Sequence, residues 1–361
     1  MSRTPVILVC GVADDPMARV TMGLQWDLPQ AVVVQHRIDD ERQVLTRTVT
    51  DIGGVVEREE IDLEHACTSC AIREDIVPSI ERLAATGLWG SVVAHLPVGA
   101  EPIQVCRVVA WDPSRVPHVE VAAVVAALDA DDAVDDLLGD DLFRDRGIGA
   151  TADDGRGVAE VAAAMVEYAD VVAVLGQADG PEHALVRTIA RPGVDVVDDA
   201  SALDTARLAR GVHTHGATEQ WVSEVRRGDL PGPEHDESEV WRLDLSSDRP
   251  FHPGRLHENI ELLGGGPRRS RGCFWLASRP SALCVWDGAG GQLSIGTDRQ
   301  WGAARPLTRI VVVGIDDGRD EIVETFEHCL LSDQEMAGRG PFWEVGEDGL
   351  EPWLGEIRRA A

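Results

Sequence analysis

The sequence predicts an α/β fold, a mostly parallel sheet with helices on both faces, followed by a smaller α+β domain. Short β-branched runs alternate with helical patterns over the first half of the chain. A segment rich in Gly, Pro, His and acidic residues interrupts that pattern after residue 210. A strand-rich segment of different composition follows it, and 361 residues exceed what one compact core usually holds.

The first domain is expected to span residues 1–210. Strands of a parallel sheet are buried on both faces, so they read as nearly continuous apolar runs. Helical spacing separates such runs at Ile72–Ala85 and Val158–Tyr168. The runs that predict strands are Val6–Cys10, Ala31–Gln35, Ser91–Ala94, Val119–Leu128, Val171–Leu175 and Val194–Val197.

A linker is predicted at 211–239 because Gly, Pro, His and acidic residues dominate there. A smaller α+β domain is predicted at 240–361. Phe274–Ala277 and Leu283–Trp286 predict adjacent strands joined by a turn at Arg279–Ser281. Another strand is predicted at Arg309–Ile315 and a helix at Asp320–Cys329.

The charge of the chain limits its partners. The formal net charge is -30, from 63 acidic and 33 basic residues, and every basic residue is arginine. Such a field repels phosphate backbones, so direct DNA binding is not expected, whereas basic protein partners and metal cations are favoured. The apolar run Val6–Ala13 is too short to cross a bilayer, and no convincing secretory signal precedes it. We therefore expect a cytoplasmic protein without a membrane partner.

Among the seven cysteines, only Cys67 and Cys70 have metal-like spacing. Two thiolates can share a tetrahedral zinc ion if two further ligands complete the site. His65 is adjacent in sequence, and the side chains that could approach in space are Glu64, His95 and Cys106. The alternatives are a pair of ordinary thiols and a redox sensor. The histidines of His213-Thr214-His215 are interpreted as part of a solvated loop rather than as metal ligands.

Four short motifs in the second domain occur in a recognisable order. They are Arg249–Leu256, Arg271–Pro280, Trp286–Gly291 and Cys329–Glu335. This series closely resembles the C-terminal domain of CobW-type proteins, a zinc-associated family with a GTPase fold. The resemblance implies that the first domain is similar to a P-loop GTPase.

In such a domain, the loop after the first strand reads G-x-x-x-x-G-K-[ST], which cradles phosphate and magnesium. Here the corresponding residues are Gly11–Ala18, and only Gly11 matches. Pro16 and Met17 replace the second glycine and the lysine, and no lysine is present elsewhere to substitute.

Two other nucleotide motifs are degraded as well. The family's Asn-Lys-x-Asp motif corresponds to Gly176–Asp179, in which only Asp179 remains. The family's Glu-Thr-Thr-Gly-like segment corresponds to His95–Gly99. We therefore regard Gly11 and Asp179 as vestigial nucleotide-site positions and predict no catalytic residue. GTP and magnesium are not expected as cofactors, and the sequence offers no basis for predicting an enzyme.

The family's Cys-x-Cys-Cys motif corresponds to Cys67–Cys70, with Ser69 in place of the second cysteine. The resemblance implies that the family motif binds zinc or a similar ion. Cys67 and Cys70, with His65, are therefore the predicted metal ligands, and zinc is the predicted ion.

The resemblance implies a role in zinc homeostasis or the response to zinc limitation. Our first hypothesis is a non-catalytic adaptor that recruits a basic partner, such as a ribosome-hibernation factor, to the ribosome. The alternative is a zinc metallochaperone that delivers the ion through Cys67 and Cys70, with or without weak GTP binding. A third hypothesis, an active GTPase with an unusual loop, requires a phosphate cradle that the motifs do not supply.

Overall fold

The computed structural model describes residues 3–39, 41–63, 67–177, 180–223, 239–315, 317–343, 345 and 347–357. Contacts divide the chain into two compact units. The first comprises Met1–Asp136 and Asp141–Val222, and the second comprises Leu137–Asp140 and Ser223–Ala361. No helix among the described residues combines the length and the apolar character needed to cross a bilayer.

In the described part of the first unit, eight strands form one sheet in the order β4-β3-β2-β5-β1-β6-β7-β8. The pairs from β2 through β8 are parallel, whereas β3 and β4 add an antiparallel hairpin at one edge. The strands are β1 (Thr4–Cys10), β2 (Ala31–Asp39), β3 (Val44–Asp51), β4 (Gly54–Asp62), β5 (Ser91–His95), β6 (Val119–Asp129), β7 (Val171–Leu175) and β8 (Asp195–Val197).

Helices connect these strands, as parallel pairing requires. They are α1 (Asp14–Asp27), α2 (Thr68–Ala71), α3 (Val77–Ala85), α4 (Pro102–Trp111), α5 (Ala133–Leu138), α6 (Phe143–Arg146), α7 (Val158–Tyr168), α8 (Glu182–Ile189), α9 (Thr205–Arg210) and α10 (His215–Ser223). A π-helical segment at Ile72–Ile76 joins α2 to α3, and a short 3₁₀ turn lies at Ala200–Ala202.

Alternate residues of β1 face helices on opposite sides of the sheet. Ile7 and Val9 belong to a buried cluster with residues of α1 and α9. Val6 and Leu8 line an apolar space shared with residues of α3 and α4. Every residue from Val6 to Cys10 is buried, which explains the unbroken apolar run in the sequence. The predicted parallel sheet with helices on both faces is confirmed.

The structure corrects the start of the predicted linker. Residues 211–222 belong to the first unit, and α10 begins at His215. The backbone N–H groups of Val212 and His213 both donate to the Ala122 carbonyl of β6, and Thr218 is buried. These tertiary contacts order a polar segment that local composition assigned to a linker. The rest of that segment, 224–238, lies outside the described residues.

The described part of the second unit contains a five-stranded antiparallel sheet in the order β12-β11-β10-β13-β9. Its strands are β9 (Trp241–Ser247), β10 (Arg268–Leu276), β11 (Arg279–Ala289), β12 (Gln292–Gln300) and β13 (Thr308–Gly314). Its helices are α11 (Pro253–Gly264), α12 (Arg319–Cys329), α13 (Asp333–Arg339) and α14 (Glu351–Leu354). The predicted α+β domain is confirmed, although Arg279–Ser281 lies within β11 rather than in the turn before it.

A buried ion pair fastens the C-terminal segment to this sheet. The Arg279 guanidinium donates to both carboxylate oxygens of Asp348, at 2.8 and 3.0 Å, and the Ser278 hydroxyl donates at 2.6 Å. The side chains of Arg279 and Asp348 are 6% and 0% exposed. Removing one partner would leave a buried charge without compensation, which is more costly than losing an exposed pair.

Asp348→Ala should therefore lower the free energy of unfolding of this unit by about 3–5 kcal/mol. Denaturant unfolding followed by tryptophan fluorescence would measure it. Asp298→Ala is the matched control because Asp298 pairs with Arg299 at the surface, where the loss should stay below about 1 kcal/mol. Equal losses in the two variants would contradict the importance assigned to the buried pair.

Candidate functional site

The connection between β1 and α1 occupies the position of the family's phosphate loop. Only Gly11, Val12 and Ala13 separate the strand from the helix, which begins at Asp14. A Cβ atom at Gly11 would lie 2.6 Å from the Ala127 carbonyl oxygen of β6. Close packing against the neighbouring strand therefore accounts for this glycine without any ligand.

Helix α1 begins within what would be the phosphate loop. Positions four to eight of the motif lie in the helix, so their backbone does not form an open cradle. Asp14 and Asp15 lie in its first turn, where carboxylates interact favourably with the positive end of the helix dipole. Met17, at the lysine position, is fully buried. The residues of this loop therefore do not form a site that fits a nucleoside triphosphate with magnesium.

The side chain of Asp14 is held by groups from neighbouring strands. Arg37 of β2 donates to its carboxylate at 2.5 Å, and Nε2 of His95 lies 3.6 Å from the other carboxylate oxygen. Nδ1 of His95 is 2.9 Å from the Thr21 hydroxyl of α1. Burial lowers the pKa of His95 to about 4, although the nearby Asp14 carboxylate opposes that shift.

Of the two predicted vestigial positions, the structure locates Gly11 at the end of β1. Asp179 lies outside the described residues, so the prediction for it stays untested. The described part of its motif, Gly176 and Gln177, follows β7 at the same edge of the sheet as the end of β1.

The predicted cysteine ligands lie together at the start of α2. The backbone N–H of Cys70 donates to the sulfur of Cys67 at 3.2 Å, so Cys67 caps the helix. Contact between the two thiols raises the pKa of Cys70, with burial adding to the shift. Arg73 approaches the Cys70 sulfur at 3.9 Å. Cys67 is partly exposed, whereas Cys70 is buried.

The other proposed ligands do not join this pair within the described structure. His95 contacts Asp14 and Thr21, and Cys106 lies with two histidines elsewhere in the unit. His65 and Glu64 lie outside the described residues. Within the part that the structure describes, the predicted ligands Cys67 and Cys70 therefore have no third His, Cys, Asp or Glu in range to form a metal-binding group.

The structure brings together a group that the sequence did not predict as a set. Ligand atoms of Cys106 on α4, His213 before α10 and His215 at its start lie within 4.8 Å of one another. The side chain of His213 is 2% exposed and that of His215 is 21% exposed, so the interpretation of a solvated loop is wrong. The sequence signal was the His-x-His spacing, but only the fold pairs it with Cys106.

Tyr168, the last residue of α7, lies within this group. Its hydroxyl is 2.7 Å from Nδ1 of His215 and 3.4 Å from Nε2 of His213. It also hydrogen-bonds with the thiol of Cys106. Burial raises the pKa of Cys106 to about 12 and also raises the pKa of Tyr168, so both side chains keep their protons at neutral pH.

Comparison with known proteins agrees with this architecture. Residues 240–330 match the family described as the cobalamin synthesis protein cobW C-terminal domain. The zinc chaperone Rv0106 of Mycobacterium tuberculosis is 31% identical over 395 residues, covering 97% of this chain and 94% of its own.

This chain belongs to the CobW family. The zinc-regulated GTPase metalloprotein activator 1 of Dictyostelium discoideum is a more distant relative, 20% identical over 82% of this chain and 70% of its own. The zinc-bound YjiA GTPase of E. coli is 16% identical and covers 91% of this chain and 99% of that one, with a TM-score of 0.35. That score is too low to support an argument about this CobW-family site.

The buried His95 predicts a pH dependence of stability. Its pKa in the folded state, about 4, lies below the ordinary histidine value of 6.5, so the unfolded chain binds the proton first as pH falls. The stability contributed by the neutral imidazole is complete above pH 6.5 and is lost as pH falls towards 4. Its share of the loss should reach roughly 2 kcal/mol by about pH 5.

Denaturant unfolding of wild type and His95→Gln at neutral and acidic pH would measure this share. The glutamine amide can still bond Thr21, and the variant should lose less stability than wild type on acidification. His118→Gln is the control because His118 is a partly exposed histidine paired with Glu81. Parallel pH profiles for wild type and His95→Gln would refute the assignment.

Proposed function

We propose that this CobW-family protein handles zinc without turning over nucleotide. The observation that carries the proposal is the start of α1 at Asp14, with only three residues between it and the end of β1. A phosphate site would need backbone N–H groups and a cation facing the anion. The corresponding position carries a carboxylate that Arg37 already neutralises.

The names of two relatives support the zinc part of the proposal. Cys67 and Cys70 supply two thiolates, half of a tetrahedral zinc site. Such a pair suits a zinc ion that is carried as cargo. A receiving protein, or the segment around His65, would supply the remaining ligands, and the ion could then exchange from one ligand set to the other. Zinc delivery through this pair is the form of zinc handling that we favour.

A second candidate function is that of an adaptor for a basic protein, and the net charge of -30 favours it. Complementary charge speeds association and selects partners more than it raises affinity. The proposed partner is basic and ribosome-associated, in the cytoplasm and under zinc limitation, with a ribosome-hibernation factor as the specific case. This proposal is compatible with zinc delivery, since an adaptor could also carry the ion.

Calorimetric titration with GTP, GDP and ATP in magnesium tests the absence of nucleotide turnover. We expect no saturable heat and no hydrolysis, because the loop has neither lysine nor an open cradle. Zinc measured in the same reduced, untagged sample should be present. A CobW-family protein with an intact Gly-x-x-x-x-Gly-Lys-Ser/Thr loop is the positive control. Saturable, magnesium-dependent binding that persists through purification would overturn the proposal.

Pull-downs from zinc-starved and zinc-replete cells test the adaptor role. The starved extract should yield basic ribosome-associated proteins, and their capture should weaken as salt is raised through the range in which exposed charges are screened. The control is a protein of similar size with an uncharged surface, immobilised on the same beads. Recovery of no ribosomal or hibernation protein, or capture that ignores salt, would count against this role.

A further inference from the structure

We propose that Cys106, His213 and His215 form a zinc site separate from the Cys67–Cys70 pair. One thiolate and two imidazoles are a chemically sound donor set for Zn²⁺, which accepts both sulfur and nitrogen ligands. The choice of zinc rests on the zinc-handling function proposed above. The argument for a metal site rests on the geometry of the three side chains.

The tautomer of His213 leaves one nitrogen free for a metal. Nδ1 of His213 lies 2.9 Å from a carboxylate oxygen of Asp170, whose side chain is 3% exposed. A carboxylate accepts hydrogen bonds, so Nδ1 carries the proton and Nε2 presents a lone pair. A carboxylate that orients an imidazole through its other nitrogen is the usual companion of a metal-ligating histidine.

In His215 the roles of the two ring nitrogens are reversed, and one nitrogen is again left with a lone pair for a metal. Its Nε2 lies 3.3 Å from the carboxylate of Glu219, one turn further along α10. The negative charge favours the proton on Nε2, which leaves the lone pair on Nδ1. That nitrogen points at the Tyr168 hydroxyl, 2.7 Å away.

Two imidazole lone pairs and a thiol therefore converge on one phenol. The Tyr168 hydroxyl has a single proton to donate, so it cannot satisfy both His213 and His215. A cation with ligand positions for both nitrogens and for the Cys106 sulfur would satisfy all three. The convergence of two imidazole lone pairs and a sulfur atom, beside a preoriented histidine, is what points to a metal ion.

The spacing is close to that of a loaded site. The three ligand atoms lie within 4.8 Å of one another. Tetrahedral zinc with bonds of about 2.0–2.3 Å requires ligand atoms about 3.3–3.7 Å apart, so movements of about 1 Å suffice. Cys106 would release its thiol proton on binding, as structural and catalytic zinc thiolates do.

The site has a route to solvent on one side. The side chains of His215 and Glu219 are 21% and 33% exposed, whereas Cys106 and His213 are buried. Glu219 is held by Arg107 of α4 at 2.6 Å. With three protein ligands the fourth position is left to water or to an incoming donor, which is the arrangement of sites that exchange a ligand.

The test uses the full-length, reduced protein in a Cys67→Ser/Cys70→Ser background, which removes the other pair. After chelation and reloading with zinc alone, this background should retain one equivalent by elemental analysis. X-ray absorption should show one sulfur and two imidazole ligands. Cobalt substitution should give a thiolate charge-transfer band.

Each ligand is removed by a matched substitution in that background. His213→Asn keeps an amide near the Nδ1 position for Asp170, and His215→Gln keeps one near Nε2 for Glu219. Both variants, and Cys106→Ser, should lose the zinc equivalent or bind it at least about tenfold more weakly. Cys273→Ser and His118→Gln, at sites away from the cluster, should retain it, and circular dichroism should show that every variant is folded.

Tyr168→Phe separates a metal site from a hydrogen-bonded cluster. It removes the hydroxyl at the centre of the group but none of the proposed ligands, so the zinc equivalent should remain. Zinc that persists when Cys106 and His213 are replaced would overturn the site. Loss of all bound zinc in the Cys67→Ser/Cys70→Ser background would also overturn the site, but it would leave the zinc-handling function intact. A wild-type protein that binds no zinc at all would overturn both.

Discussion

Much of the first unit depends on one buried carboxylate, that of Asp170 at the start of β7. It accepts hydrogen bonds from the backbone N–H of Val124 in β6, at 2.8 Å, and from Nδ1–H of His213, and it forms an ion pair with Arg191. A buried charge must be paired to be tolerated, so these donors are required rather than incidental. These bonds hold the β6–β7 pair, the segment after α8 and the segment before α10 against Asp170. Through His213, the same carboxylate sets the geometry beside Cys106.

At the carboxyl end of β1, side chains of the protein itself surround the N-terminus of α1. Gly11 follows the strand directly, and the helix begins at Asp14. The carboxylate of Asp14 lies at the helix N-terminus, between Arg37 and His95. The positive end of α1 is stabilised from within. The helix therefore has a counter-charge within the protein, which agrees with the proposal that this protein handles zinc without turning over nucleotide.

Much of the fold could be predicted because the buried strands of a parallel sheet appear in the sequence as nearly continuous apolar runs. Val171–Leu175 was predicted with both of its strand ends and Val6–Cys10 with its last residue, because both runs are buried on each face. The β3–β4 hairpin was not predicted. Its outer strand is mostly exposed, with polar residues such as Glu57 and Glu59, so it lacks a hydrophobic pattern. Pairing with β2 and several ion pairs, among them those of Arg47 and of Arg82, hold it in the sheet.

The sequence by itself determined the two domain types, the CobW family and the proximity of Cys67 and Cys70, because each is encoded by neighbouring residues. Short-range spacing also revealed that the phosphate loop lacks its lysine and second glycine. Only the tertiary structure decided that His213 and His215 face Cys106, which lies more than a hundred residues earlier in the chain. This contact depends on the positions of α4 and α7 and on the backbone hydrogen bonds that hold the segment before α10 against β6. Local composition could not predict it, since a polar segment is ordered by distant partners rather than by its own sequence.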